Sequence, residues 1–351
     1  MTAKPDADVA PRDGARTGES AGAKARWSRA ALLVCGGALC AYLISRIGLT
    51  PIVESFRTLS WRLLIVIVFP CVVLKTLDTL AWRVTFPHER VSFLRLAGTL
   101  LAGQAVGSTT PAGLIGGNAV MAWMLRDRVS VRETLSSLII FHTTSTASQG
   151  LFLLLGILLA RSMLATPTVL VRIMEWLLVL EVIGVVGFIA VQMRGIVAGG
   201  YRVLARFGLC SNTALGQAAT DVDEALATFY RRQPRRLALS LVFNFLGWTA
   251  RAGETWLILW LLGASVSVPT ALIVEAFATG ISFATFFLPT DVGIEEGGAV
   301  ATFLALGLSG ATGLSLALVR RVREVAWTAL GLLLLAGNRR PWEAMLRVQR
   351  V

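Results

Sequence analysis

Apolar runs long enough to cross a bilayer recur along this chain, at 30–49, 62–82, 136–160, 168–193, 237–262 and 312–336. A transmembrane helix takes about 20 mostly apolar residues, so each run predicts one full crossing. Two further apolar segments, 92–125 and 268–308, are too long for a single helix and are interrupted inside. The first interruption reads Pro111-Ala-Gly113-Leu-Ile-Gly116-Gly117-Asn118. The second reads Pro289-Thr-Asp-Val-Gly293-Ile-Glu295-Glu296-Gly297-Gly298. A short apolar helix is expected after each, over 119–125 and 297–308. A backbone broken at membrane depth leaves N–H and C=O groups that lipid cannot satisfy, so it persists only where protein or a water-filled cavity lines it. Breaks in matching positions of two halves point to a transport site. Both segments are therefore read as re-entrant hairpins. The expected fold class is an all-α polytopic membrane protein, with six full transmembrane helices and two re-entrant helical hairpins in an inverted repeat.

Charge along the chain gives an orientation. With the N-terminus in the cytoplasm, cytoplasmic segments hold Arg83, Arg90 and Arg95, then Arg126, Arg128 and Arg132, then clusters from Arg194 to Arg236 and from Arg339 to Arg350. Outer loops hold only Arg46, Arg57, Arg62, Arg161 and Arg172. That asymmetry follows the positive-inside rule. It opens the first hairpin to the cytoplasm and the second to the outside. The domain reading is a disordered cytoplasmic tail at 1–26, a first transmembrane half at 27–193, a connector at 194–236, a second half at 237–338 and a basic cytoplasmic tail at 339–351. In the connector, Leu215, Ala218, Val222, Leu226 and Phe229 recur at helical spacing, with Asp221, Asp223 and Glu224 helping to form the opposite face. An amphipathic helix at the cytoplasmic interface, stopped by Pro234, is expected there; a simple linker fits the same residues. The expected location is the bacterial inner (plasma) membrane, multi-pass, with both termini cytoplasmic.

Composition agrees. Of 351 residues, 55% are hydrophobic and 15% charged, where a soluble domain carries roughly a quarter charged. The net charge of +12 is explained by membrane orientation, and no nucleic-acid partner is expected. Cys35, Cys40, Cys71 and Cys210 form no C-x-x-C pair, so neither a metal nor a disulfide site is expected. No catalytic motif is present, including the P-loop and the zinc-protease pattern. The chain is read as a non-enzyme that needs no cofactor.

Ionisable side chains at membrane depth are costly and each is a functional candidate. Lys75 with Asp78, and Arg251 with Glu254, stand three residues apart on one helix face. Either pair serves equally as an internal salt bridge that makes its helix tolerable in lipid. Arg320, Arg321, Arg323 and Glu324 sit midway along the last span. One glutamate cannot neutralise three arginines, so they require carboxylates elsewhere in the bundle or an anionic ligand; the ligand or a mixed role is preferred. Glu295 and Glu296 suit the cap of the short second-hairpin helix or a partner for those arginines. Asn118 takes the matching place in the first hairpin. Glu175, Glu181, Glu275 and His142 also fall within apolar segments. Gly113, Gly116, Gly117, Gly293, Gly297 and Gly298 supply the backbone shapes that the breaks at Pro111 and Pro289 require.

The run from Phe286 through Pro289, Gly293, Glu295 and Glu296 to Gly298, followed by Leu318-Val-Arg320-Arg321-Val-Arg323-Glu324, resembles the flippase-like transmembrane domain of lysylphosphatidylglycerol synthases. It is most similar to the stand-alone membrane proteins associated with hopanoid biosynthesis. The resemblance spans roughly 30–340 and implies movement of a lipid, a hopanoid or an anionic phospholipid, between leaflets. Membrane lipids and lipid-biosynthetic enzymes are the implied partners. The family's first-half pattern ends Gly-Gly-Glu, where this chain has Gly116-Gly117-Asn118, so a carboxylate in both hairpins is not implied. Two other readings stand beside transport: an integral-membrane enzyme of terpenoid or hopanoid lipid biosynthesis, and a non-catalytic scaffold for such enzymes.

Overall fold

The apolar runs fold as helices wherever the chain is described. A computed structural model describes residues 60–86, 91–109, 113–164, 169–206, 213–285 and 293–337. The expected span at 30–49, both tails, Pro111 and Pro289 lie outside them. A short 3-10 turn at Ser60–Arg62 leads into α1 (Leu63–Arg83). The first hairpin is α2 (Phe93–Thr109) and α3 (Gly113–Leu125), followed by α4 (Val131–Met163) and α5 (Val169–Met193). The connector is α6 (Ile196–Arg206) and α7 (Thr213–Arg232). Then come α8 (Pro234–Leu261), the second hairpin α9 (Val268–Thr285) and α10 (Ile294–Ala305), and α11 (Gly310–Gly337). Among the described residues every regular element is a helix, and this is a helical membrane protein.

Among the described residues, three helices are both long and apolar enough to cross a membrane: Leu64–Arg83, Val131–Met163 and Val169–Met193. Helices α8 and α11 have 28 residues each, about 42 Å at 1.5 Å per residue. Their apolar character is broken midway by Arg251 and Glu254, and by the Arg320–Glu324 cluster. The outer face of α5 shows Trp176, Leu180, Ile183 and Val186, an apolar surface suited to lipid.

Central to the bundle, α1 packs on α8 and α8 on α4. Around them α2 lies on α11 and α9 on α4, while α3 lies on α4 and α10 on α11. Trp82, Leu96, Leu100, Met121, Leu125 and Phe141 seal the first hairpin into α1 and α4. Ile258, Leu259, Val274, Phe303, Leu316 and Val319 seal the second into α8 and α11.

Both short hairpin helices begin earlier than the sequence suggests. Gly116 and Gly117 lie inside α3, and Glu295 to Gly298 inside α10. Tight packing decides this in α3. A Cβ at Gly117 would stand 2.5 Å from the carbonyl oxygen of Gly103, so α2 and α3 meet backbone to backbone through small residues. In α10 the start is fixed by Gly293, whose φ of +86 belongs to the left-handed region.

The connector differs from one amphipathic helix in having two. Val222, Leu226 and Phe229 pack under α4 against Ile140, while Ala218 is exposed. Asp223, expected on the polar face, is buried. Its carboxylate accepts the N–H groups of Val197 at 3.0 Å and Ala198 at 2.8 Å, capping the first turn of α6. Pro234 opens α8 at its first turn, where its missing N–H is no loss. At the turn after α3, Arg95 donates to Asp127 at 2.5 Å. That hydrogen bond holds the Asp127 carboxyl below its ordinary value.

Candidate functional site: the ion-paired hairpin junction

Three arginines within four residues of a helix point over more than half its circumference, so each meets a different neighbour. Arg320 donates to the Glu275 carboxylate on α9 and to the Thr255 hydroxyl on α8. Thr255 in turn donates to Glu275 at 2.7 Å. Arg321 donates to Glu296 Oε1 on α10, at 3.1 Å from Nη2 and 3.3 Å from Nε. It also lies 3.7 Å from Glu295 and 3.5 Å from Glu324. Arg323 donates to Glu254 on α8, and its guanidinium stands 4.9 Å from the Trp327 ring.

Glu254, Glu275 and Glu296 are 1%, 5% and 2% exposed. At such depth a carboxylate must be paired, and these three are. Of the two expected ways of neutralising the α11 arginines, carboxylates elsewhere in the bundle or an anionic ligand, the first is present: the bundle supplies a carboxylate for each. Arg251 and Glu254, expected to pair along α8, turn instead to other helices. Arg251 lies 3.8 Å from Asp78 on α1 and 4.9 Å from the Trp248 ring, while Glu254 takes Arg323. Lys75 keeps Asp78 at 3.6 Å. Lys75 also donates to Gln104 on α2 at 2.6 Å and sits 4.9 Å from Trp327. Trp327 is thus flanked by Lys75 and Arg323, linking the charged groups of the two halves.

Beside these pairs is a cavity of about 180 Å³ between α8, α9, α10 and α11. Arg251, Arg320 and Arg323 line it against Glu254, Glu275, Glu295 and Glu324, three cations against four carboxylates. Glu296 has a second role: its other oxygen accepts the N–H of Gly293 at 2.7 Å. One carboxylate therefore closes the start of α10 and ties it to α11. Gly298 faces the Ile281 side chain on α9.

The first hairpin meets α4 at a polar contact. Asn118 on α3 stands 3.1 Å from His142 Nε2 on α4. Glu175 pairs with Arg161 at 2.6 Å near the ends of α5 and α4; Glu181 joins neither junction. Sequence reading left Glu275 outside the site although an acid inside an apolar run marks it. Thr255, Trp248 and Trp327 carried no such mark. Among the described residues, no three His, Cys, Asp or Glu side chains gather as metal ligands would.

A family model for the lysylphosphatidylglycerol synthase TM region matches residues 29–331. The chain is 22% identical over 328 residues to the UPF0104 membrane protein PH1989 of Pyrococcus horikoshii, covering 85% of this chain and 97% of that protein. No solved structure matches. With its helical bundle and a match over most of its length, the chain belongs to the lysylphosphatidylglycerol synthase transmembrane-region family.

Proposed function

We propose that this protein moves a lipid between the two leaflets of a membrane, with the junction of α9, α10 and α11 as the path of its headgroup. One observation carries the reading: two buried arginine–carboxylate pairs, Arg320–Glu275 and Arg323–Glu254, line a charged cavity at mid-helix depth, with the Arg321–Glu296 pair beside them. Buried pairs are poor stabilisers compared with apolar packing of the same volume, so their concentration beside a cavity favours a working site over a structural one.

The packing pattern supports an inverted repeat. Exchanging α1–α4 with α8–α11 carries the α2–α11 contact onto α9–α4, and the α3–α4 contact onto α10–α11. On this reading the hairpins are re-entrant, alternating access exposes the path to each leaflet in turn, and no catalytic step is assigned. The setting is the bacterial inner membrane with both termini cytoplasmic. The lipids are polar-headed ones of the phospholipid or hopanoid kind. A preference for anionic headgroups loses its support, since the cavity lining carries no excess of positive charge.

The test is leaflet-resolved movement of headgroup-labelled lipids in proteoliposomes. Faster movement than in protein-free vesicles is expected for at least one headgroup class. No acceleration for anionic, zwitterionic, cationic or uncharged headgroups would overturn the reading. Chemical alteration of the lipid in the same vesicles would replace it with an enzymatic one.

A further inference from the structure

Glu181 is a buried acidic residue that neither junction uses. It lies on α5, 1% exposed, and neither carboxylate oxygen has a hydrogen-bond partner. Opposite it is Gly150 of α4: a Cβ built there would stand 3.4 Å from the carboxyl carbon and 3.6 Å from each oxygen. The flanking residues Val179, Leu180, Val182 and Ile183 are exposed on the apolar face of the helix.

Among the described residues, no element packed against α5 brings a cation to this place. Helix α4 has no Lys or Arg between Arg132 and Arg161. Its His142 is turned to Asn118, and Arg161 is taken by Glu175. On α9 the acid is Glu275, held by Arg320. Helices α6 and α7 meet the Gln192 end of α5, about three turns away. There Tyr230 donates to Gln192 and Asp223 caps α6, while Arg194, Arg202 and Arg206 are exposed. On α5 itself Arg172 is exposed. A carboxylate without water, hydrogen bond or counter-charge is strongly disfavoured in such a place, whereas the uncharged acid is tolerated.

We propose that Glu181 is a proton-binding site inside the membrane, occupied while α5 is seated on Gly150 and emptied to water when α5 and α4 part. The seat is wired to the hairpin junction. Gln149, next to Gly150, donates to the carbonyl of Thr279 on α9 at 3.0 Å. Thr279 lies one turn beyond Glu275 and lines the cavity. An ionised Glu181 draws water to the α4–α5 contact and loosens the turn of α4 that holds α9. The proton therefore biases the position of the second hairpin. This last consequence rests on the lipid-movement reading; the proton site does not.

The test uses the full chain in mild detergent and a hydrophobic carbodiimide, which modifies carboxyl groups that are protonated in apolar surroundings. Peptide mass spectrometry is expected to find the adduct on Glu181 at about pH 6 and roughly tenfold less for each pH unit above the titration point. The arginine-paired Glu254, Glu275 and Glu296 should stay unmodified. An unmodified Glu181 in a sample where other carboxyls react, or modification indifferent to pH, would overturn the proposal. Hydrogen exchange tests the wiring. After correction for the intrinsic pH effect, peptides covering Gly150 and Thr279 should exchange faster at high pH in the wild type and not in Glu181→Gln or Glu181→Met. The same pH response in both variants would refute the link. Labelling without lipid movement would retire the transport reading and leave the proton site standing; lipid movement without labelling would do the reverse.

Discussion

The helix pairs α2–α3 and α9–α10 are held by different physics. In the first, α2 and α3 approach so closely that Gly117 touches the backbone of Gly103, and the junction with α4 is a neutral Asn118–His142 contact. In the second, α10 is tied to α11 by Glu296 and Arg321, and the neighbouring pairs Arg320–Glu275 and Arg323–Glu254 are buried. Backbone-to-backbone packing has one good arrangement and resists opening. Ion pairs between separate helices can part and re-form if water or a charged group replaces a partner. The same hairpin geometry thus yields one anchored element and one that is suited to move.

The largest effect that would test this contrast is expected from Glu254→Gln. It leaves Arg323 buried with Glu324, at 3.6 Å, as its only other carboxylate among the described residues, and should destabilise by about 3–5 kcal/mol. Adding Arg323→Met should restore much of that loss, because removing both charges lifts the desolvation cost; unfolding titrations in detergent would read both. Next comes a pair of glycine substitutions. Gly117→Ala drives its methyl into a backbone oxygen 2.5 Å away and should cost about 1–3 kcal/mol. Gly298→Ala meets the Ile281 side chain rather than backbone, its movable δ-methyl nearest at 2.6 Å, and should cost less than about 1 kcal/mol. Equal costs would erase the distinction between the hairpins.

A smaller loss, about 0.5–1.5 kcal/mol, is expected for Asn118→Ala, which removes one neutral hydrogen bond. The smallest effect concerns Asp127. Its carboxyl is held below the ordinary value by Arg95, so its contribution is complete above about pH 4 and is lost as pH falls through the lowered value. Thermal unfolding of the wild type should show this acid-side loss, and Asp127→Asn should lack it.

The division of each long apolar segment into two helices was legible because glycine and proline punctuate apolar runs in only a few ways. The arginines of α11 were legible because charge at membrane depth stands out. Their partners were not, since spacing along a chain names only neighbours on the same helix. By that rule Glu254 belonged to Arg251, yet it is 69 residues from the arginine it meets. Asp223 looked solvent-facing for a similar reason: its role as a cap appears only once α6 exists as a separate helix with free N–H groups. Glu181 was visible as an acid in a span, but its isolation depends on what faces it across α4.

The most direct test of the claim that a lipid headgroup passes the ion-paired junction is labelled-lipid movement between leaflets, compared at equal amounts of folded protein. Wild-type vesicles should outpace protein-free ones, Arg321→Gln should be slower by at least about tenfold, a barrier increase near 1.4 kcal/mol, and Asn118→Ala should stay close to wild type. Equal rates for Arg321→Gln and wild type would contradict it.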